Sequence, residues 1–188
     1  MVCRALSIFA ARRRTVRILF NVVAFQTGWL SCVLGAAQGY PLIGPAVALV
    51  VVAIHLTLAA RPTRELALIT LVALLGAVLD SALVRTGWLS YPNGIVLAGT
   101  APYWIVTMWL LFATTLNVSL RWLRGRGWTA LALGAVGGPL SYLAGARLGG
   151  LSFINLEAAL TALAIGWALV TPLLIILATR FDTGLQRA

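Results

Sequence analysis

Six apolar stretches, each near the length of a membrane-crossing helix, fill this chain almost end to end, and its arginines fall in the connections between them. The stretches cover about residues 18–38, 42–60, 66–85, 102–120, 128–146 and 157–178, and a helix needs roughly 20 mostly apolar residues to cross the hydrocarbon of a bilayer. In lipid each backbone N–H and C=O must be satisfied within the protein, so a run of this kind becomes a helix. The expected architecture is all-α, a polytopic bundle of six transmembrane helices over residues 18–178. A basic segment at 1–17 precedes it and a short tail at 179–188 follows.

Composition agrees. Of the 188 residues, 61% are hydrophobic and 10% charged, against about 45–50% and about 25% in soluble domains. The first apolar run, preceded by "ARRRTVR", is too long for the apolar region of an ordinary signal peptide, so no cleavage is expected.

Fourteen basic residues, all arginine, face four acids and give a net charge of +10. Nucleic-acid binding would need those charges on one face of a folded domain; here they punctuate apolar runs, and no nucleic-acid partner is expected. With the N-terminus inside, Arg4, Arg12, Arg13, Arg14, Arg17, Arg61, Arg64, Arg121, Arg124, Arg126, Arg180 and Arg187 are cytoplasmic, and only Arg85 and Arg147 fall outside. That bias predicts a multi-pass protein of an inner, cytoplasmic membrane with both termini in the cytoplasm. Cys3 and Cys32 make no plausible disulfide, because one precedes the first span and the other lies deep within it. A single histidine, His55, excludes a multi-histidine metal centre in one chain. No metal site and no cofactor is expected.

An unpaired polar group in hydrocarbon costs several kcal/mol, so polar residues inside spans are expected to turn inward. At 100° per residue, Asn21, Cys32, Trp29 and Gln26 lie at roughly 0°, 20°, 80° and 140° around the first helix, which predicts a polar inner face. Depth sorts the rest. Asn21, His55, Glu65 and Asn117 fall within about 9 Å of the arginines flanking their spans, a candidate polar site on the cytoplasmic side. Asp80 lies about 24 Å from Arg64, level with Cys32, Ser141 and Tyr142 on the outer side, and pairs with Arg85 or Tyr142. His55 and Asp80 are some 15 Å apart along the normal, too far for proton transfer between them. Each has a structural reading too. Glu65 and Glu157 suit helix N-termini, and asparagines bond neighbouring helices.

Trp88, Trp104, Trp122 and Trp128 lie near span boundaries and read as interfacial anchors. Trp29, Trp109 and Trp167 fall well inside spans, where they pack a core or line a lipid-chain cavity. In the fifth span Ala130, Gly134 and Gly138 form a small-residue stripe that admits a close helix, within the chain or in a homodimer. Pro139 next to it, and Pro172 in the sixth span, are expected to bend or break their helices.

Four strings, "NVVAFQTGWLSCVLGAA", "LDSAL", "PYWIVTMWLLFATTLNVSLRWL" and "LGAVGGPLSYLAGARLG", resemble the bacterial inner-membrane family catalogued as domain of unknown function 2878, over about residues 18–178. The resemblance carries over Asn21, Gln26, Trp29, His55, Glu65, Asp80, Ser81, Pro102, Trp104, Trp109, Asn117, Ser119, Gly138, Pro139 and Tyr142 as family positions. Where many relatives have a histidine after the asparagine of "TTLN", this chain has Val118. Relatives are often encoded beside fatty-acid-modifying enzymes of the cyclopropane type, which implies a role in membrane-lipid modification. Three readings stay open: an accessory or binding protein that holds a membrane lipid or a lipid-modifying enzyme, an intramembrane enzyme using His55 and Glu65, and a small transporter or flippase with Asp80 and the Pro139 break on its path.

Overall fold

Helices account for nearly all of the chain. The computed structural model describes residues 2–181, with side chains from Arg12 onward. The side chains of Cys3 and Arg4, and the tail residues 182–188 with Arg187, lie outside the described residues. Six helices follow one another: α1 Val2–Ala37, α2 Ile43–Thr57, α3 Pro62–Arg85, α4 Tyr103–Leu116, α5 Gly127–Arg147 and α6 Leu156–Arg180. The stops are local. Pro62 opens α3 where its missing N–H costs nothing, and the Asn155 side chain accepts from the Ala158 N–H to cap α6.

Contacts between helices show that they run up and down. Asn21 of α1 meets Thr114 of α4, whereas Gly28, two turns on, abuts Leu111. His55 near the end of α2 meets Glu65 near the start of α3. At the opposite end two short strands, β1 Leu89–Ser90 and β2 Ser152–Phe153, pair antiparallel with Leu89 opposite Phe153. That ladder ties the α3–α4 connection to the α5–α6 connection, and Asn93 fastens both near α1 by donating to the Ala36 carbonyl at 2.6 Å. The molecule therefore has one end carrying His55 and Glu65 and another carrying the strand pair.

Four helices, α1, α3, α5 and α6, are long and apolar enough to cross a membrane, and this is a membrane protein by that measure. The expected spans at 42–60 and 102–120 come out shorter, as α2 and α4 with 15 and 14 residues. At 1.5 Å per residue those helices reach about 21–23 Å, short of a core of about 30 Å. The shortfall at α4 has a physical reason. Asn117 ends the helix and turns its amide to Glu65, and the chain continues through a 3-10 turn at Arg121–Leu123. Such irregular backbone survives at membrane depth only against protein, and α4 is the innermost helix, packed by α1, α2, α3 and α6.

The two prolines break nothing: α5 and α6 run continuously through Pro139 and Pro172. The small-residue stripe of α5 is filled from within the chain. A Cβ on Gly134 would meet the Trp167 carbonyl and the Thr171 hydroxyl, and one on Gly138 would enter the Trp167 ring. The stripe thus serves the α5–α6 hairpin, which packs most tightly on itself and more sparsely on the other four helices.

Candidate functional site

Polar side chains gather at two levels. Toward the arginine-rich end, Glu65 is fully buried on the first turn of α3. Its Oε1 lies 2.9 Å from His55 Nε2, and its Oε2 accepts from Asn117 Nδ2 at 3.2 Å. Arg124 donates in turn to Asn117 Oδ1. The carboxylate is therefore compensated from α2, from the end of α4 and, through the amide, by a guanidinium. Alongside it Asn21 donates to the Thr114 carbonyl at 3.2 Å and accepts from the Ser119 hydroxyl at 2.7 Å. His55 and Asn21 also line a groove of about 270 Å³ between α1 and α2, so the network has one open side. His55 and Glu65 supply two metal donors, and no third His, Cys, Asp or Glu joins them among the described residues.

At the second level Asp80 is buried between α4 and α5. Trp109 Nε1 donates to its Oδ2 at 2.6 Å and the Tyr142 hydroxyl donates to its Oδ1. Gly76, one turn before Asp80 on α3, makes this possible, since a Cβ there would enter the Trp109 ring. Arg85 does not pair with Asp80. It turns to the α3–α4 loop and donates to the Gly99 carbonyl at 3.1 Å. Ser81 likewise serves that loop, accepting from the Ala101 N–H at 2.9 Å. Tyr91 packs edge-on against Trp104 at the strand end. Burial, with the Asp80 charge adding to it, holds the Tyr91 hydroxyl well above its ordinary range, so it stays protonated.

Trp109 stacks face to face on Trp167 of α6, with ring centroids 4.8 Å apart and planes 7° from parallel. The stack stands as a wall between two apolar clefts that separate the α5–α6 hairpin from the rest. One, of about 230 Å³, reaches Asp80 past Leu83 and Trp88. The other, of about 240 Å³, is lined by Phe25, Trp29, Phe112, Gly137, Tyr142 and Trp167 among others. Along α5 it extends from Leu133 to Tyr142, about 14 Å at 1.5 Å per residue. Near its other end the Thr171 hydroxyl is buried and has no partner among the described residues.

Two of the expected positions move. Gln26 is exposed on the outer surface of α1 instead of on an inner face. The buried positions of that helix are Asn21, Gly28, Cys32, Val33, Gly35 and Ala36, between roughly 320° and 120°, and Gln26 at about 140° falls just beyond them. Trp104 is wholly buried and donates to the Asn93 carbonyl at 3.2 Å, so it is a core residue and no interfacial anchor. Trp122 and Trp128 are exposed near the arginine-rich end. Cys32 is a free, buried thiol packed against Gly44. Glu157 lies in the first turn of α6.

Sequence reasoning missed Arg124 as a member of the polar network and Thr114 as a partner of Asn21. Arg124 looked like one more topology marker, and only the tight turn after α4 returns it to Asn117. For Thr114 the "TTLN" string was a signal, three residues before Asn117.

Among comparisons with known proteins, a family model described as Protein of unknown function (DUF2878) matches residues 18–173. No curated protein and no solved structure matches the chain.

Proposed function

The chain belongs to the DUF2878 family, and from the geometry of its clefts we propose that it is a lipid-binding membrane protein, an accessory component of membrane-lipid modification. The carrying observation is the elongated cleft walled by Phe25, Trp29, Phe112 and Trp167. It is mostly apolar and reaches Tyr142 at one end, whose hydroxyl is held by Asp80 behind it. An acyl chain matches such a wall, because it buries methylene surface at about 25 cal/mol per Å² against aromatic faces. Tyr142, already held by Asp80, meets the polar end of the chain. In this reading all six helices lie in an inner, cytoplasmic membrane with both termini in the cytoplasm. A lipid-modifying enzyme is the partner that receives the bound lipid.

Gly137 supplies the test. It lines the cleft, and a Cβ there meets nothing within 4 Å, so Gly137→Leu adds bulk at the cleft without displacing backbone. Lipid mass spectrometry of the purified protein is expected to show less acyl lipid per chain in Gly137→Leu than in the unmodified chain at equal yield. Equal retention by both refutes the reading.

A second reading, an intramembrane enzyme acting on lipid near the arginine-rich end, draws on His55. Its ring is held by a buried carboxylate on one side and faces the α1–α2 groove, an arrangement suited to general acid–base work. It expects His55→Ala to abolish a lipid product in cells while protein abundance stays normal. An unchanged lipid profile removes it.

A further inference from the structure

The α1–α2 groove has a layout of its own, independent of the aromatic cleft. We propose that it is a separate site for an anionic glycerophospholipid, with the phosphate at Arg17, the ester carbonyls at Asn21 and His55, and an acyl chain along Ala24 and Val51.

The order of its walls matches the order of groups in such a lipid. Arg17 stands at the rim, half-buried. Asn21 lies one helical turn deeper, about 6 Å along the axis, and His55 lines the groove with it. These are hydrogen-bonding groups on an otherwise apolar wall, and both are fixed from behind. Asn21 is held by Thr114 and Ser119, and His55 by Glu65. One further turn down, Ala24 and Val51 offer only hydrocarbon. Val16, Phe20 and Leu58 flank the opening and are all more than half exposed, so the groove opens sideways, toward surrounding lipid.

Charge selects the headgroup. No acid lines the groove. Arg12, Arg13 and Arg14 precede Arg17 on the same helix and are exposed. A lipid with net negative charge gains from all of them, whereas a zwitterionic headgroup brings its own cation against them. Free phosphate reaches Arg17 but leaves the apolar part of the groove unfilled.

The test uses the full-length protein reconstituted in bilayers of equal parts phosphatidylglycerol and phosphatidylcholine, then transferred to detergent, with retained lipid counted by mass spectrometry. Phosphatidylglycerol is expected to be retained over phosphatidylcholine. Arg17→Gln should lower that preference about fivefold, the share of one arginine near an anionic surface, and Arg12→Gln, turned about 140° away around the helix, should lower it less. Excess inorganic phosphate should not displace the lipid. Gly137→Leu should lower total lipid but keep the preference for phosphatidylglycerol, which separates this site from the aromatic cleft. Equal retention of the two lipids, equal effects of the two arginine variants, displacement by phosphate, or loss of the phosphatidylglycerol preference in Gly137→Leu would each overturn the proposal.

Discussion

Glu65 is held on two sides, and each bond comes from a different helix. A buried carboxylate is tolerable when its lone pairs are used and its charge is balanced, and here His55 and Asn117 meet its two oxygens. Replacing it strands its partners. Glu65→Leu is expected to destabilise the protein by about 3 kcal/mol, the cost of breaking a buried pair from one side. Glu65→Gln, which keeps the shape and one acceptor, should lose distinctly less. Thermal unfolding followed by size exclusion in detergent reads both. Equal losses would mean that the charge of the carboxylate matters and its shape and remaining acceptor do not. The sequence brought Asn21, His55, Glu65 and Asn117 to one depth, because distance from a flanking arginine is a matter of counting residues. It did not reveal that Asn21 bonds to Thr114 and Ser119 instead of joining Glu65, since that depends on how α1 is rotated against α4.

The α5–α6 hairpin shows how an element is specified by what it lacks. Along one side of α5, Gly134 and Gly138 let the backbone of α6 come so near that Trp167 lies over them. Close approach of this kind is what joins helices in lipid, where no hydrophobic force acts between them. Gly134→Leu would press a branched side chain onto the Trp167 carbonyl, which has no rotamer by which to yield. Overpacking costs about 1–3 kcal/mol even where side chains give way, so this variant should lose most of its folded yield. Gly137→Leu, one residue before Gly138 but turned to open space, should keep it. Fluorescence-detected size exclusion distinguishes the two, and matching profiles would refute the packing argument. From sequence, Pro139 and Pro172 are expected to bend or break their helices, and they break neither. In a membrane helix neighbouring groups absorb the missing hydrogen bond, and both helices run on.

At the scale of the molecule, connections meet at two ends, with the β1–β2 pair at one and the His55–Glu65 network at the other. The proposed orientation puts the strand end outside. Cysteines introduced by Leu97→Cys and Thr63→Cys, both at exposed positions, test it in a Cys3→Ser background. Leu97→Cys should react with a membrane-impermeant maleimide on intact cells, and Thr63→Cys only after permeabilisation. The reverse pattern would invert the topology and place the phospholipid site in the other leaflet.

By itself the sequence determined the helical architecture, the elements in order and the two levels of polar groups. Each follows from quantities that add along a chain: apolar length against bilayer thickness, charge between spans, and rise per residue. Tertiary structure alone decided which way each helix faces its neighbours. It turned Gln26 outward, Trp104 inward and the α5 glycines onto α6, and it opened clefts on both sides of the Trp109–Trp167 stack. A rotation of a few tens of degrees about a helix axis leaves every sequence distance unchanged, and only packing between surfaces far apart in the chain can fix it.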